Sequence, residues 1–258
     1  PQPAVRELNA HAIASFDHLG LDLNGSSDLN SELVSVSGIV SIPIDRELGA
    51  RVIVTPFYQG TDGSGSSILN QAGLVGVDRG GIALGGDVFL RYTDFFEASV
   101  GPRYTFADID GSSTHALGVE VTGKLFLDDF GIGPVDLAGT TFVTGTDLGG
   151  EDSTSGQNYG IDAGATVYLD RQFSVEGNVF WQSDNLTSGR GRLGAGAEFD
   201  YLIPVNRPVT LSFRVAGGAI ETRTAGADSD DPFYSIGFSV TISFPGADSL
   251  LELERGFY

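Results

Sequence analysis

The chain has 258 residues, of which 41% are hydrophobic and 19% are charged, and it contains 37 glycines and no cysteine. The lack of cysteine excludes a disulfide framework and any cysteine-based zinc site or thiol nucleophile. Fourteen basic residues against 34 acidic ones give a net charge of −20, which argues against a nucleic-acid-binding surface or a polybasic membrane anchor.

Export is the first expectation from the sequence. The chain starts with proline and contains no methionine, as expected for a bacterial protein whose signal peptide has been removed. No run of about 18 apolar residues occurs, so no transmembrane helix is predicted.

Twelve segments alternate between apolar and polar residues with a period of two, which predicts β-strands. The alternation is weakest in the first segment and clearest in the last, where every even position from Tyr234 to Phe244 is apolar. Soluble strands usually run about 5–6 residues, whereas about 9–11 are needed to cross a bilayer at a tilt. The predicted strands are long enough to cross, and they span 10–21, 33–44, 49–60, 80–92, 96–107, 115–127, 135–146, 158–169, 173–183, 192–203, 208–221 and 233–244.

The connections between these strands alternate strictly in length. Short ones lie at 45–48, 93–95, 128–134, 170–172 and 204–207, and long or polar ones near 22–32, 61–79, 108–114, 147–157, 184–191 and 222–232. A soluble Greek-key sandwich has no reason to alternate in this way, so the pattern indicates an up-and-down sheet. The longest loop, 61–79, is expected to fold inward as a constriction or outward as a contact surface.

Aromatic side chains supply a further indication of a membrane barrel. Nine of them lie on the apolar faces toward strand ends, where aromatic rings that carry a polar group are favoured at a membrane–water interface. They are expected to form two girdles and comprise Tyr58, Tyr92, Phe96, Tyr104, Phe106, Tyr159, Trp181, Tyr201 and Tyr234.

The last strand carries a specific signature. Its residues Ser235, Gly237, Val240, Ile242 and Phe244 have the spacing of the C-terminal recognition signal of bacterial outer-membrane β-barrels, although fourteen residues follow Phe244. Over about residues 10–244, the chain resembles this porin-like class. The resemblance implies insertion by the barrel-assembly machinery and contact with outer-membrane lipid and lipopolysaccharide.

We therefore predict an all-β fold, a single transmembrane antiparallel up-and-down barrel of about 12 strands with short periplasmic turns and longer extracellular loops. Residues 1–9 are expected to form an N-terminal periplasmic tail and residues 10–244 the barrel. Residues 245–258 are expected to form a C-terminal periplasmic tail, in which Leu250, Leu251, Leu253, Glu252, Glu254 and Arg255 suit a short helix. Three interpretations of this tail stay open: a disordered tail, a periplasmic plug, or an anchor for a partner protein.

Charged residues on the polar faces are predicted to line the lumen. Many small residues lie beside them and favour a narrow water-filled pore, with a salt-bridged, closed interior as the alternative. We expect Arg91, Arg103, Lys124 and Arg214 to face Asp87, Glu97, Glu120 and Glu198 across the lumen and to create a transverse field. The predicted pore-lining residues are Asp87, Arg91, Glu97, Arg103, Glu120, Lys124, Asp162, Glu176, Arg192, Glu198, Asp200 and Arg214.

The predicted external loops hold most of the negative charge. Fourteen acids lie there against three arginines, so an open pore is expected to prefer cations weakly. The alternative is that these acids only keep the rim soluble.

Catalysis finds little support in the sequence. The three histidines, His11, His18 and His115, lie in no recognisable hydrolase motif, and no phosphate-binding loop is present. Asp108-x-Asp110-Gly111 resembles the start of a calcium loop, but its glycine comes too early. We expect no metal site, cofactor or catalytic residue.

The favoured function is passive diffusion of small hydrophilic solutes or ions through the barrel at the bacterial outer membrane. The second hypothesis is a closed structural barrel that anchors or scaffolds a partner protein through its loops or C-terminal tail. The third is an outer-membrane enzyme that modifies lipid or peptide. The net charge of −20 excludes nucleic acid as an expected partner.

Overall fold

The fold consists of twelve strands and one short helix. The computed structural model describes residues 8–23, 27–45, 47–65, 79–92, 95–109, 112–128, 131–148, 154–184, 190–203, 208–224, 227–244 and 249–255. The elements are β1 Asn9–Leu23, β2 Ser27–Pro43, β3 Leu48–Gly65, β4 Arg79–Tyr92, β5 Phe96–Ile109, β6 Ser112–Leu127, β7 Val135–Leu148, β8 Thr154–Tyr168, β9 Phe173–Asp184, β10 Arg190–Ile203, β11 Val209–Thr224, β12 Ala227–Phe244 and α1 Leu250–Arg255.

The strands form a closed antiparallel barrel in which each strand pairs with its neighbours in sequence. The ring closes between β1 and β12, whose register runs from Ala10 opposite Phe244 to Leu21 opposite Phe233. Closure leaves no strand edge unpaired, which a sheet in a bilayer requires. The predicted twelve-stranded up-and-down barrel is therefore confirmed.

Period-two alternation sorts the side chains between the lumen and the outer surface. Leu117 and Leu193 on the outer face are 65% and 62% exposed, whereas Asp87 and Glu97 on the inner face are each 5% exposed. Apolar side chains can cover the outside of a barrel only where the surrounding medium is itself apolar. The outer face is thus built for lipid.

The strands extend beyond the predicted boundaries at the extracellular end. Pairing between β1 and β2 continues to Leu23 opposite Ser27, and pairing between β11 and β12 continues to Thr224 opposite Ala227. The expected loops 22–32 and 222–232 were therefore mostly wrong. The sequence of these strand ends lacks the apolar alternation from which the strands were predicted.

Short turns close the periplasmic end. The carboxylate of Asp45 accepts hydrogen bonds from the backbone N–H groups of Glu47 and Leu48 at 2.9 and 2.8 Å, and Asp170 caps the β8–β9 turn in the same way. These donors lower the pKa of Asp45 from its ordinary value. The β6–β7 connection instead uses Gly131 and Gly133 at φ values of 80° and 127°, a region that side chains rarely adopt.

The helix α1 follows β12 and spans six residues. Among the described residues, no helix has the length and apolar character needed to span a bilayer. Most of the predicted 61–79 loop and of the N-terminal tail lies outside the described residues.

Candidate functional site

The barrel encloses a polar lumen that contains a larger cavity of about 650 Å³ and a smaller one of about 260 Å³. The larger cavity extends to α1 at the periplasmic end, and the smaller one lies in the extracellular half. Of the twelve predicted pore-lining residues, ten line the larger cavity and two, Asp162 and Arg192, line the smaller one. The first ten are Asp87, Arg91, Glu97, Arg103, Glu120, Lys124, Glu176, Glu198, Asp200 and Arg214.

A network of ion pairs covers the wall formed by β3–β6. Arg103 lies 2.6 Å from Glu120 and 3.5 Å from Asp87, while Arg91 lies 2.8 Å from Glu97. The expectation that these charges face one another across the lumen was wrong, because their strands are neighbours in the barrel. Opposite charges on one wall neutralise each other locally.

One member of this network was not predicted from the sequence. Arg51 on β3 lies 3.3 Å from Glu97 and 3.5 Å from Asp87, which brings the network to three cations and three anions. Arg51 stands two residues before Ile53, which also faces the lumen. The alternation of β3 would therefore have placed it correctly.

The wall formed by β8–β10 is acidic instead. Thr166 donates to Glu176 at 3.0 Å, Ser174 donates to Asp200 at 3.1 Å, and Asn178 donates to Asp162 at 2.8 Å. None of these acids, nor Glu198, lies within 4.0 Å of a basic group among the described residues. The lumen thus has one wall on which the ion pairs cancel and only Lys124 of β6 adds further charge, and one wall with excess negative charge.

The periplasmic end of the lumen is occupied by α1. Its Leu250 and Leu253 are 1% and 5% exposed and pack with Tyr168 of β8 and Leu202 of β10 in one apolar cluster. The backbone N–H of Leu250 also donates to the carbonyl oxygen of Arg171 at 2.9 Å. The helix is therefore attached to the wall by apolar packing and by its main chain.

A second set of contacts holds the end of α1 at the opposite side of the mouth. The Nε of Arg255, which is 1% exposed, donates to Asp136 at 2.9 Å, and its Nη1 donates to Asp128. Arg91 donates to the carbonyl oxygen of Arg255, and both guanidinium groups lie over the ring of Phe126, at 4.9 and 5.2 Å from its centroid. These contacts tie α1 to β4, β6 and β7.

Glu254 of α1 faces the larger cavity. Its side chain is open to the lumen but is surrounded by the barrel wall. This enclosure raises the pKa of the Glu254 carboxyl, opposed by Lys124 and reinforced by Asp200 and Glu176. The helix thereby adds a further acid to the acidic side of the lumen.

The extracellular half of the lumen contains an arginine between aromatic rings. The guanidinium carbon of Arg192 lies 4.1 Å from the ring centroid of Phe233 and 5.2 Å from that of Phe180. The two rings are 6.0 Å apart. This cluster lies on the extracellular side of the larger cavity.

The three histidines do not come together. His11 faces the lumen and bonds Ser243 at 2.9 Å, whereas His115 bonds the Tyr104 hydroxyl at 2.8 Å and His18 contacts Tyr234. Within the described part of the chain, none is hydrogen-bonded to a carboxylate, and no group of three His, Cys, Asp or Glu side chains could hold a metal ion. Asp110 and Gly111 of the calcium-like motif lie outside the described residues.

The residues of the predicted assembly signal all lie on β12. Ser235 and Gly237 face inward, and Val240, Ile242 and Phe244 face outward. A Cβ on Gly237 would lie 2.1 Å from the carboxylate of Asp17, so a glycine is needed here for packing inside the barrel.

Comparison with solved structures places the fold among outer-membrane barrels. The β-domain of the Bordetella autotransporter BrkA is 12% identical, with a TM-score of 0.58 over 92% of this chain and 100% of that one. An outer membrane channel from Pseudomonas putida F1 is also 12% identical, with a TM-score of 0.56 over 93% and 96%. The translocator domain of the autotransporter NalP from Neisseria meningitidis gives 12% identity and a TM-score of 0.54 over 92% and 88%. Both channels and translocator domains thus share this fold.

Sequence comparison gives only a partial likeness. No protein-family profile matches the chain. Ribosomal RNA small subunit methyltransferase C of Ectopseudomonas mendocina (strain ymp) is 35% identical over 111 residues, and that of Pseudomonas aeruginosa (strain LESB58) is 36% identical over 108. These matches cover 42% and 41% of this chain, which spans about a third of the length of these curated relatives. They show no shared family.

Proposed function

We propose that the chain is a narrow outer-membrane channel through which small hydrophilic solutes or ions diffuse passively, with a weak preference for cations. The observation that carries the proposal is the cavity of about 650 Å³ with one acidic wall. At about 30 Å³ per water molecule, this space holds roughly twenty waters, so the lumen accommodates hydrated ions.

Cation preference follows from the unequal walls of the lumen. The ion pairs of β3–β6 cancel one another, whereas Glu176, Glu198 and Asp200 lie farther round the barrel without basic partners in the described part of the chain. Charges of one sign along a lined cavity raise the local concentration of counter-ions. Acidic external loops would also attract cations, over a screening distance of about 8 Å at physiological salt.

In this proposal α1 limits passage at the periplasmic mouth. Its contacts to Tyr168, Leu202, Asp128 and Asp136 reach both sides of the opening. A helix of six residues is not stable in water by itself, so its position depends on these contacts. Conductance of the natural chain is therefore expected to be small and to increase when the contacts are removed.

The test is single-channel recording in planar bilayers with a salt gradient. We expect discrete current steps and a reversal potential of the sign that indicates cation preference. The double variant Glu198→Gln with Asp200→Asn should move that reversal potential toward zero. Glu47→Gln, the same kind of change on an exposed periplasmic turn, is the matched control and should leave it unchanged. A clear anion preference in the natural chain would overturn the proposal.

A closed barrel that anchors a partner protein is the second candidate, and the burial of Arg255 at the periplasmic mouth favours it. Electrical silence of both the natural chain and a variant lacking α1, with folding confirmed by heat-modifiable gel migration, would support this candidate over the channel. The loops and the C-terminal tail would then be the surfaces for a partner.

We infer the remaining properties from the fold and its outer surface. The apolar outer face is expected to contact outer-membrane lipid and lipopolysaccharide, and β12 is expected to be recognised by the barrel-assembly machinery. Both require export to the outer membrane. We propose no enzymatic activity, since the histidines have other partners than carboxylates.

A further inference from the structure

Arg192 differs from the other arginines inside the barrel. Arg51, Arg91, Arg103, Arg214 and Arg255 each lie within 4.0 Å of a carboxylate, and Arg79 at the rim donates to the amide oxygen of Gln59. Within the described part of the chain, Arg192 has no carboxylate at that distance. Its Nε is shielded from solvent and makes no hydrogen bond. In a chain of net charge −20, an enclosed arginine without an acid is unexpected.

The position of Arg192 is fixed by aromatic rings. Its guanidinium lies against Phe233 and Phe180, and the sheet makes room for both rings at Gly194. A Cβ there would come within 2.6 Å of the Phe180 ring and 2.8 Å of the Phe233 ring. A guanidinium against ring faces keeps its N–H donors in its own plane, where they remain able to bond a ligand.

A cavity of about 260 Å³ lies beside this cluster, with Arg192, Phe180, Phe142, Gln182 and Ser235 among its walls. At about 30 Å³ per water it corresponds to roughly nine water molecules, which is the size of a small organic acid. Its walls combine aromatic faces, one cation, the acid Asp162 and two neutral polar side chains. Apolar walls with a few polar groups are typical of small-molecule sites.

We propose that this outer cavity binds a small monocarboxylate with a flat apolar body, such as an aromatic acid. The carboxylate is held by the guanidinium fork of Arg192, which matches a carboxylate with two parallel hydrogen bonds. The apolar body lies against Phe142 and Phe180. This inference goes beyond the proposed diffusion channel and does not depend on conductance.

The acids near the cavity determine which anions fit. Asp162 lines the same space, but its carboxylate accepts a hydrogen bond from Asn178 at 2.8 Å. Asp231 lies two strands from Arg192, in the register row through Ile220. A ligand with two or three negative charges would be repelled by these groups, whereas a single carboxylate is matched by the single cation. The site is therefore expected to prefer monoanions.

Binding of fluorobenzoate to the full chain in detergent, followed by fluorine NMR, tests the site. We expect saturable binding in the millimolar range, which corresponds to about −4 kcal/mol. Fluorobenzyl alcohol, which has a hydroxyl in place of the carboxylate, should bind more weakly. Fluorophthalate, which has a second carboxylate, should also bind more weakly. Arg192→Gln should weaken fluorobenzoate binding about tenfold or more, because it removes a charge-assisted contact, and Arg192→Lys should restore only part of it.

Two controls keep the outcome interpretable. Arg171→Gln removes an exposed arginine in the β8–β9 turn, away from this cavity, and should bind fluorobenzoate as the natural chain does. Phe233→Leu removes one ring against Arg192 and should weaken binding without removing charge. Equal binding by Arg192→Gln, or no binding by a folded natural chain, would overturn the inference. A conducting chain without fluorobenzoate binding contradicts only this site, whereas binding by a silent barrel contradicts only the channel.

Discussion

The guanidinium of Arg214 on β11 lies 3.0 Å from the carboxylate of Asp17 on β1, and the two side chains meet across β12. The residue of β12 between them is Gly237, which is the register partner of both Asp17 and Arg214. The ion pair therefore joins three strands around the point where the barrel closes. It exists because the middle position has no side chain.

Gly237→Ala should disrupt this closure. The added methyl group would lie 2.1 Å from Asp17 Oδ1 and must displace the carboxylate. Because both side chains of the pair are partly exposed, loss of the ion pair should lower the free energy of unfolding by only about 1 kcal/mol. Urea unfolding of the protein in liposomes measures this free energy. Gly177→Ala, where a Cβ would meet nothing within 4 Å, should cost less; an equal effect would show that the crowding at Gly237 is not the cause.

Arg255→Met should release α1 from the mouth. The side chain of Arg255 is 1% exposed and bonds Asp128 and Asp136, and breaking a buried pair typically costs about 3–5 kcal/mol. If α1 limits passage, single-channel conductance rises. Arg171→Gln, whose exposed side chain lies in the nearby turn, is the control. A folded Arg255→Met variant with the conductance of the natural chain would exclude α1 as the limiting element.

Leu253→Ala should loosen α1 by a different mechanism. Leu253 packs with Tyr168 and Leu202, and truncation of a buried leucine costs about 2–5 kcal/mol. Hydrogen exchange of the α1 amides should accelerate while exchange in the strands stays the same. The control is Leu169→Ala, at a leucine that is 54% exposed near the same mouth. It should change hydrogen exchange neither in α1 nor in the strands. Strand exchange that rises together with α1 exchange would mean that the barrel, rather than the helix, was destabilised.

Glu254 should make the docking of α1 depend on pH. Its pKa is raised above the ordinary value of 4.5 in the docked state, so the charged form is disfavoured there. Docking therefore strengthens as the pH falls through the raised pKa toward 4.5, and it weakens as the pH rises. Protection of α1 against proteolysis should rise on acidification and should lose this dependence in Glu254→Gln. Protection that falls on acidification in the natural chain would contradict the sign.

The sequence was sufficient for the strands and for their two faces. The alternation of apolar and polar residues placed Asp87, Glu198 and Arg214 on the inner face, because contact with lipid requires an unbroken apolar outer face. The same pattern contained Arg51, which was not among the predicted pore-lining residues. The strand ends within 22–32 and 222–232 were missed because their sequence does not alternate between apolar and polar residues.

Contacts between distant elements could not be predicted in this way. The stacking of Arg192 on Phe180 and Phe233 depends on the register of β9–β12, which alternation alone does not give. The docking of α1 depends on side chains from β4, β6, β7, β8 and β10. A six-residue segment has no intrinsic tendency to be helical in water, so its own sequence does not determine its position.

The closed ring has a consequence for the order of assembly. Residues 232 positions apart, His11 and Ser243, bond across the seam, so β1 stays unpaired on one side until the last strand has been made. Such distant pairing is slow to form. Because α1 follows β12 directly and packs inside the barrel, we expect it to dock only after the last strand is in place. Protection of α1 against proteolysis should therefore separate finished barrels from open intermediates.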